Sequence, residues 1–236
     1  MLVLSSILLL VFSYILGSIP FGLIIVRLMT GKDIRLIESG RTGGTNVMRA
    51  AGFWAGFATA MLDIFKSASA VWLARYLVGN NLVFNSFWMH VIPPILVVTG
   101  HNYSIFLIER GENGRFRLRG GAGGASASGG AIGLWFPSVF LIIPVGLIFL
   151  FVVGYASMAT LSIGMMSILI FGVRAIMGLS PWEYVAYGAL VEVLLVWALR
   201  PNIKRLFKGT ERVVGIRARR RKAKLQNLSD STQSSS

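Results

Sequence analysis

Long apolar runs follow one another along this chain and leave little room for anything else. They extend from Leu2 to about Met29, from Ala51 to Val78, from Leu82 to Ile108, and then from Ile132 to Val153, Met158 to Met177 and Trp182 to Leu199. A helix crosses the hydrocarbon core of a bilayer with about 20 such residues. Backbone inside that core must satisfy its own N–H and C=O groups, which a helix does within one segment. With 55% hydrophobic residues and a mean hydropathy of +0.70, the chain is expected to be all-α, a polytopic transmembrane helical bundle. The first run has no basic n-region, exceeds the usual length of a signal h-region and shows no small-residue cleavage site, so it reads as a retained span.

Charge sets the topology. The formal net charge is +14, and 20 of the 23 basic residues fall in three clusters: Arg27 to Arg49, Arg110 to Arg119, and Arg200 to Lys224. Basic segments beside apolar spans are what the positive-inside bias produces, and they attract anionic headgroups. Membrane lipids are therefore expected partners and nucleic acid is not. All three clusters belong on one side, the cytoplasmic one, which requires an odd number of crossings. Seven is favoured over five, with Pro137 and Pro144, or Pro93 and Pro94, as the places where a long run could break. Residues 1–210 are expected to form the membrane domain, and 211–236 a cytoplasmic tail, basic and then polar, with too little apolar content to fold. Trp182, Tyr184 and Tyr187 read as interfacial anchors. The chain has no cysteine and only two histidines, His90 and His101, so no disulfide, metal site or cofactor is expected.

The chemistry is concentrated in the polar breaks. Glu38 to Arg49, Glu-Ser-Gly-Arg-Thr-Gly-Gly-Thr-Asn-Val-Met-Arg, is richer than a turn requires. Its glycines bring successive N–H groups close to a ligand, Ser39, Thr42, Thr45 and Asn46 add neutral donors, and Arg41 and Arg49 add charge. That combination suits a phosphate. Arg119 to Ser128 repeats the theme, with Gly120, Gly121, Gly123 and Gly124 beside several arginines; a flexible linker is the competing interpretation. Asp63 and Lys66 share one helical face inside the second run. Either they neutralise each other, or Lys66 meets a substrate anion and Asp63 holds it. His101 is a helix-end hydrogen-bonding residue or a pocket residue, and Glu192 is a carboxylate in an apolar run with no legible partner. Asn202 and Lys204 stand where the last span meets the tail.

These stretches together resemble the PlsY family of bacterial membrane glycerol-3-phosphate acyltransferases. The resemblance runs from Gly17-Ser18-Ile19-Pro20-Phe21-Gly22 through Ser39-Gly40, Gly43, Thr45, Asn46 and Arg49, then Leu62-Asp63 with Lys66 and Gly100-His101-Asn102-Tyr103. It closes on Asn202-Ile203-Lys204-Arg205-Leu206 and Gly209-Thr210-Glu211. It implies a seven-helix fold in the bacterial inner membrane with three cytoplasmic motif loops, and transfer of an acyl group from acyl phosphate to glycerol 3-phosphate. It also implies the soluble acyl-phosphate-forming enzyme PlsX as a partner. On this resemblance Ser39, Arg49, Ser157 and Asn202 are the catalytic candidates. Gly43, Thr45, Asn46, Lys66, His101, Arg119, Gly120, Gly121, Gly123 and Lys204 are the substrate-binding candidates. Two departures stand out: Ala122 occupies the place of the family's second-motif lysine, and Leu199 that of the third-motif histidine. Arg115, Arg117 and Arg119 are candidates to restore the lost charge, and His101 is the one candidate for the lost histidine.

Acyl phosphate is an activated mixed anhydride, so no covalent enzyme intermediate is needed. The expected mechanism is positioning of the glycerol hydroxyl against the acyl carbon with neutralisation of two phosphates. A lipid-phosphate-binding protein or scaffold of lipid synthesis, with catalysis lost along with the lysine and histidine, is the alternative. A transporter fits less well, because no inverted repeat is apparent.

Overall fold

Pro20 parts the first apolar run into α1 (Leu2–Ser18) and α2 (Phe21–Thr30) in the computed structural model, which describes residues 1–111 and 114–218. Proline has no N–H and cannot continue the helical ladder, so carbonyls just before it need other donors. Lys66 Nζ supplies them, 3.0 Å from Gly17 O and 3.3 Å from Ile19 O. The same ammonium lies 2.7 Å from Asp63 Oδ1, with both side chains 2% exposed. Beyond α2, Asp33 accepts from the Arg35 N–H to cap a short 3₁₀ turn at Ile34–Leu36. The polar loop then leads into α3 (Gly44–Ala51) and α4 (Phe53–Gly79).

The third apolar run is shorter as a helix than its hydropathy suggests. α5 spans Trp88–Asn102, with Pro93 and Pro94 both buried inside it and no break there. Prolines are tolerated in such helices because neighbouring helices enclose the freed backbone groups. Residues 103–108 are not part of the helix. β1 (Ser104–Arg110) pairs antiparallel with β2 (Phe116–Arg119), with Ile108 opposite Leu118 and Arg110 opposite Phe116. Leu107 is 3% exposed between the exposed Phe106 and Ile108. The buried positions of β1, Ser104 and Leu107, are three apart and not two, and the pairing register shifts between Ser104 and Ile108.

The next run also divides. α6 (Gly124–Leu134) begins inside the glycine segment, earlier than the apolar pattern indicates, and ends before Trp135. A 3₁₀ turn at Phe136–Ser138 containing Pro137 leads into α7 (Val139–Ile148), which a π-helical turn, Phe149–Val153, extends. Of the candidate break points, Pro137 is therefore the one at a break, while Pro144 sits within α7. α8 (Ala156–Ile176) and α9 (Glu183–Phe207) complete the bundle. Among the described residues five helical segments are long and apolar enough to cross a membrane: Leu2–Thr30, Phe53–Gly79, Phe136–Val153, Ala156–Ile176 and Glu183–Phe207. α5 and α6 are shorter and more enclosed.

α6 is the inner helix, and its composition is the reason. Small side chains let neighbouring backbones approach closely. Gly129 lies against the Ile64 carbonyl of α4, Gly130 against the Tyr187 hydroxyl and Gly133 against Val71. Tyr187 donates to Ala127 O at 2.7 Å, and Arg75 caps the C-terminal carbonyls of α6, 3.2 Å from Gly133 O and 2.7 Å from Leu134 O. Tyr184 and Tyr187, expected at the interface, are core residues at 5% and 0% exposure; Trp182 is exposed. Glu192 packs its carboxyl against Gly164 of α8, where a side chain would collide with it. A Gly129→Val substitution should overpack this crossing and destabilise by roughly 1–3 kcal/mol. Thermal unfolding in detergent checks this against Gly172→Val, since nothing lies within 4 Å of a Cβ at Gly172.

The chain stays on the bundle past residue 210. Asn202 Nδ2 donates to Glu211 Oε1 at 2.8 Å, Val213 bridges to Tyr155, and Val214 is buried. The polar end expected to be disordered, from residue 219 onward, lies outside the described residues.

Candidate active site

Three helices begin at the same place. The N-terminus of α3 contributes Gly43, Gly44 and Thr45 to the wall of a cavity of about 370 Å³, that of α6 contributes Gly123, Gly124 and Ala125, and that of α8 contributes Ala156 and Ser157. The first N–H groups of a helix have no partner within it, and the helix dipole adds partial positive charge there. Gly123 holds φ at +90°, a left-handed conformation that side-chain-bearing residues rarely adopt, and this turns the loop sharply into α6. Ser157 Oγ is buried, with no hydrogen-bond partner among the described residues, on the same wall. Convergent helix N-termini form a ready-made anion site.

Three arginines line the cavity: Arg41, Arg49 and Arg212. Arg212 lies 3.4 Å from Glu38. Neither Arg41 nor Arg49 has a carboxylate within 4 Å among the described residues. Burial draws both guanidinium pKa values below their ordinary position, yet arginine stays charged in proteins. The opposite flank is apolar, formed by Phe53, Phe57, Leu147, Leu150 and Phe151. Phe53 and Phe57 are also exposed on the outside of the bundle, at 52% and 47%, so the cavity wall merges with the lipid-facing surface.

Of the residues singled out from the sequence, Ser39, Gly43, Thr45, Asn46, Arg49, His101, Gly123, Ser157 and Asn202 reach this wall. Two of them use much of their bonding capacity to shape it. Asn46 donates to Ile37 O (3.1 Å) and Arg41 O (2.9 Å), which holds the first loop closed. Asn202 accepts from Arg41 and donates to Glu211. Lys66, Arg119, Gly120, Gly121 and Lys204 do not line the cavity. Lys66 is enclosed by Asp63 and the α1 carbonyls, so its charge is already neutralised. Arg119 is drawn aside to Glu109 Oε2 at 2.7 Å, Lys204 is exposed, and Gly120 and Gly121 are pressed against the end of α5. The Gly121 N–H donates to His101 O at 2.8 Å, and a Cβ on Gly121 would overlap the His101 ring. His101 Nδ1 turns inward, 3.3 Å from Asp63 Oδ1 and 3.1 Å from Lys66 Nζ.

Ala122 and Leu199, the two places that depart from the resemblance, are both on the wall. None of Arg115, Arg117 or Arg119 lines it, so the second loop does not restore the missing charge. Arg41, counted from the sequence among the charges of the first polar loop but not among the substrate-binding candidates, is the further cation on the wall. Its direction depends on acceptors 80 and more positions away: Nη1 donates to Gly121 O at 3.2 Å, and Nη2 to Ala198 O at 2.6 Å and Asn202 Oδ1 at 3.3 Å. Asp63 and Glu211 were likewise not named as site residues, yet both reach the wall.

The family model described as Glycerol-3-phosphate acyltransferase matches residues 7–209. A glycerol-3-phosphate acyltransferase of Thermus thermophilus is 35% identical over 212 residues, covering 90% of this chain and 96% of its own. Glycerol-3-phosphate acyltransferase 3 of Dehalococcoides mccartyi is 36% identical over 232 residues, covering 93% and 100%. Among solved structures, the crystal structure of PlsY, an integral membrane glycerol 3-phosphate acyltransferase, in its glycerol 3-phosphate form superposes with a TM-score of 0.73 at 29% identity, covering 89% of this chain and 96% of that one. The lysophosphatidic acid form of the same protein gives 0.72 at 26% identity with the same coverage.

Proposed function

The chain belongs to the glycerol-3-phosphate acyltransferase family, and from that premise we propose that it transfers a fatty acyl group from acyl phosphate to glycerol 3-phosphate, releasing lysophosphatidic acid and inorganic phosphate. The observation that carries the reading is the convergence of three helix N-termini and two carboxylate-free arginines on a cavity with an apolar flank. Two phosphate groups and an acyl chain have the chemistry to fill such a space.

Attack of the glycerol hydroxyl on the acyl carbon builds negative charge on the former carbonyl oxygen and then on the departing phosphate. N–H groups and guanidinium groups already oriented toward that charge stabilise it without reorganising, which is the largest electrostatic contribution available to such a reaction. Holding both reactants in one cavity replaces a bimolecular encounter. Arg49, Ser39 and the α3 N-terminus are assigned to one phosphate, and the α6 N-terminus with Ser157 to the other. The hydroxyl proton passes to a phosphate oxygen of a substrate. The acyl chain lies along Phe53, Phe57 and Leu147, in contact with the bilayer.

The protein is a multi-pass membrane enzyme of lipid biosynthesis. Its placement in the bacterial inner membrane, with the basic loops and C-terminus cytoplasmic, is supported by the clustering of cations at the loops that form the site. Seven crossings, adding α5 and α6 to the five longer helices, satisfy that placement. Delivery of acyl phosphate by the soluble PlsX enzyme is part of the same proposal. Purified protein supplied with acyl phosphate and glycerol 3-phosphate should form lysophosphatidic acid and phosphate in equal amounts. Because Ala122 and Leu199 put apolar groups on the wall, saturable binding of both substrates without product would favour the scaffold reading instead.

A further inference from the structure

We propose that Arg41 is a substrate-binding cation of this site, aimed at a phosphate by the carbonyls of the two other segments that enclose it. The inference rests on the acyl-transfer reading above and names a residue of that same site. Its ligand class is a phosphate monoester or acyl phosphate anion.

Orientation is the first argument. Arg41 leaves the first polar loop and reaches Gly121, in the segment before α6, and Ala198 and Asn202, on α9. One guanidinium therefore ties the first polar loop to the second and to α9. The contacts consume three N–H groups, and guanidinium has five, so two donors remain on a side chain that lines the cavity.

Charge balance is the second. Several cations in this part of the molecule face a carboxylate: Arg35 meets Asp33 and Glu109, Lys66 meets Asp63, Arg119 meets Glu109, and Arg212 meets Glu38, which leaves Arg41 and Arg49 as the two arginines on the wall without one. Arg41 is half-buried and touches only neutral oxygens, with no carboxylate within 4 Å among the described residues. Carbonyls orient a guanidinium without pairing its charge, and Glu211 acts on it only at longer range, through Asn202. A buried cation without a counter-charge is unfavourable unless an anion completes it.

The residues next to its anchors supply the third. Ala122 follows Gly121 and Leu199 follows Ala198, and both present apolar side chains to the cavity. The second loop and α9 thus bring no charge of their own to this corner, and Arg41 is the cation that enters it. Ser157 Oγ, buried and unpartnered on the same wall, independently marks the cavity as a place where a polar ligand docks.

Arg41→Gln keeps a donor for the carbonyls and removes the charge. Relative to unaltered enzyme, it should raise the KM for one of the two phosphate substrates by roughly tenfold or more, the loss expected of a charge-assisted hydrogen bond. It should weaken inhibition by inorganic phosphate similarly. The substrate whose KM rises identifies the phosphate concerned. If the folded variant keeps both KM values and its phosphate inhibition, Arg41 is only a staple between loops and the inference is overturned. If the variant fails to fold, the unaltered protein decides. Phenylglyoxal modification of Arg41, followed by peptide mass spectrometry, should slow in saturating glycerol 3-phosphate or acyl phosphate, and unprotected modification overturns the inference. If the unaltered protein makes no lysophosphatidic acid, the acyl-transfer reading falls, while protection of Arg41 by inorganic phosphate still tests the residue.

Discussion

Replacing Arg49 by alanine is expected to lower lysophosphatidic acid formation by about 10²–10³-fold, the range seen when one preorganised donor to a developing oxyanion is removed, while leaving the amount of inserted protein unchanged. The two halves of this prediction have separate structural grounds. Arg49 lines the cavity from α3, one turn beyond Asn46, and no carboxylate within 4 Å among the described residues claims its charge. Its guanidinium is therefore available to a substrate phosphate. α3 is eight residues long and lies outside the segments long enough to span a membrane, so the substitution does not alter an inserted helix. Initial rates with acyl phosphate and glycerol 3-phosphate, normalised to the enzyme in the membrane fraction, provide the measurement. A rate within a few-fold of the unaltered protein would remove Arg49 from the mechanism.

Asp63→Asn should have the largest effect on stability. Asp63 and Lys66 are each 2% exposed and 2.7 Å apart. Removing one partner of such a pair leaves an uncompensated charge in the interior, which typically destabilises by about 3–5 kcal/mol. The carbonyls of Gly17 and Ile19 would still solvate the ammonium, and they carry no charge to balance it. A clear fall in melting temperature and in yield of monodisperse protein is expected. A double substitution, Asp63→Asn with Lys66→Met, should recover much of the loss, since it removes the orphaned cation along with its partner. If the single variant melts with the unaltered protein, the pair does not hold α1 to α4 and the account of the Pro20 break is wrong. His101 contacts both members of the pair, so activity is expected to fall with stability in this variant, unlike in Arg49→Ala.

Particular elements show how far a sequence of this kind can be read. The two glycine-rich loops stood out because a glycine run beside donor side chains is a local pattern, and both loops open helices, α3 and α6, on one cavity. The start of α8 was reached only through resemblance, because Gly154-Tyr155-Ala156-Ser157 carries no charge and no glycine run. Hydropathy placed α4 and α8 closely, and the start of α9, which runs on through the basic residues after Leu199 to Phe207. It misplaced both ends of α5, the C-terminal one because Ile105, Phe106 and Ile108 are as apolar as any helix residue and reveal their strand only through the pairing of β1 with β2. It also merged α6 with α7, because Trp135 and Phe136 keep the run apolar through the 3₁₀ turn that separates them.

Membrane insertion and helical class were settled by the sequence, for a physical reason: long apolar segments in hydrocarbon must bond their own backbone, and that requirement is met locally. The glycine-rich loops that open helices, with donor side chains adjacent in the chain, followed in the same way. Which of their charges face the cavity was decided only by tertiary structure. Lys66 has Asp63 three residues away on its own helix, a pairing already open to the sequence, whereas Arg119 and Arg41 look alike there: the first is held away by Glu109, and the second is turned into the cavity by carbonyls of Gly121 and Ala198. The availability of a charge depends on its nearest counter-charge, and folding brings that neighbour from elsewhere in the chain.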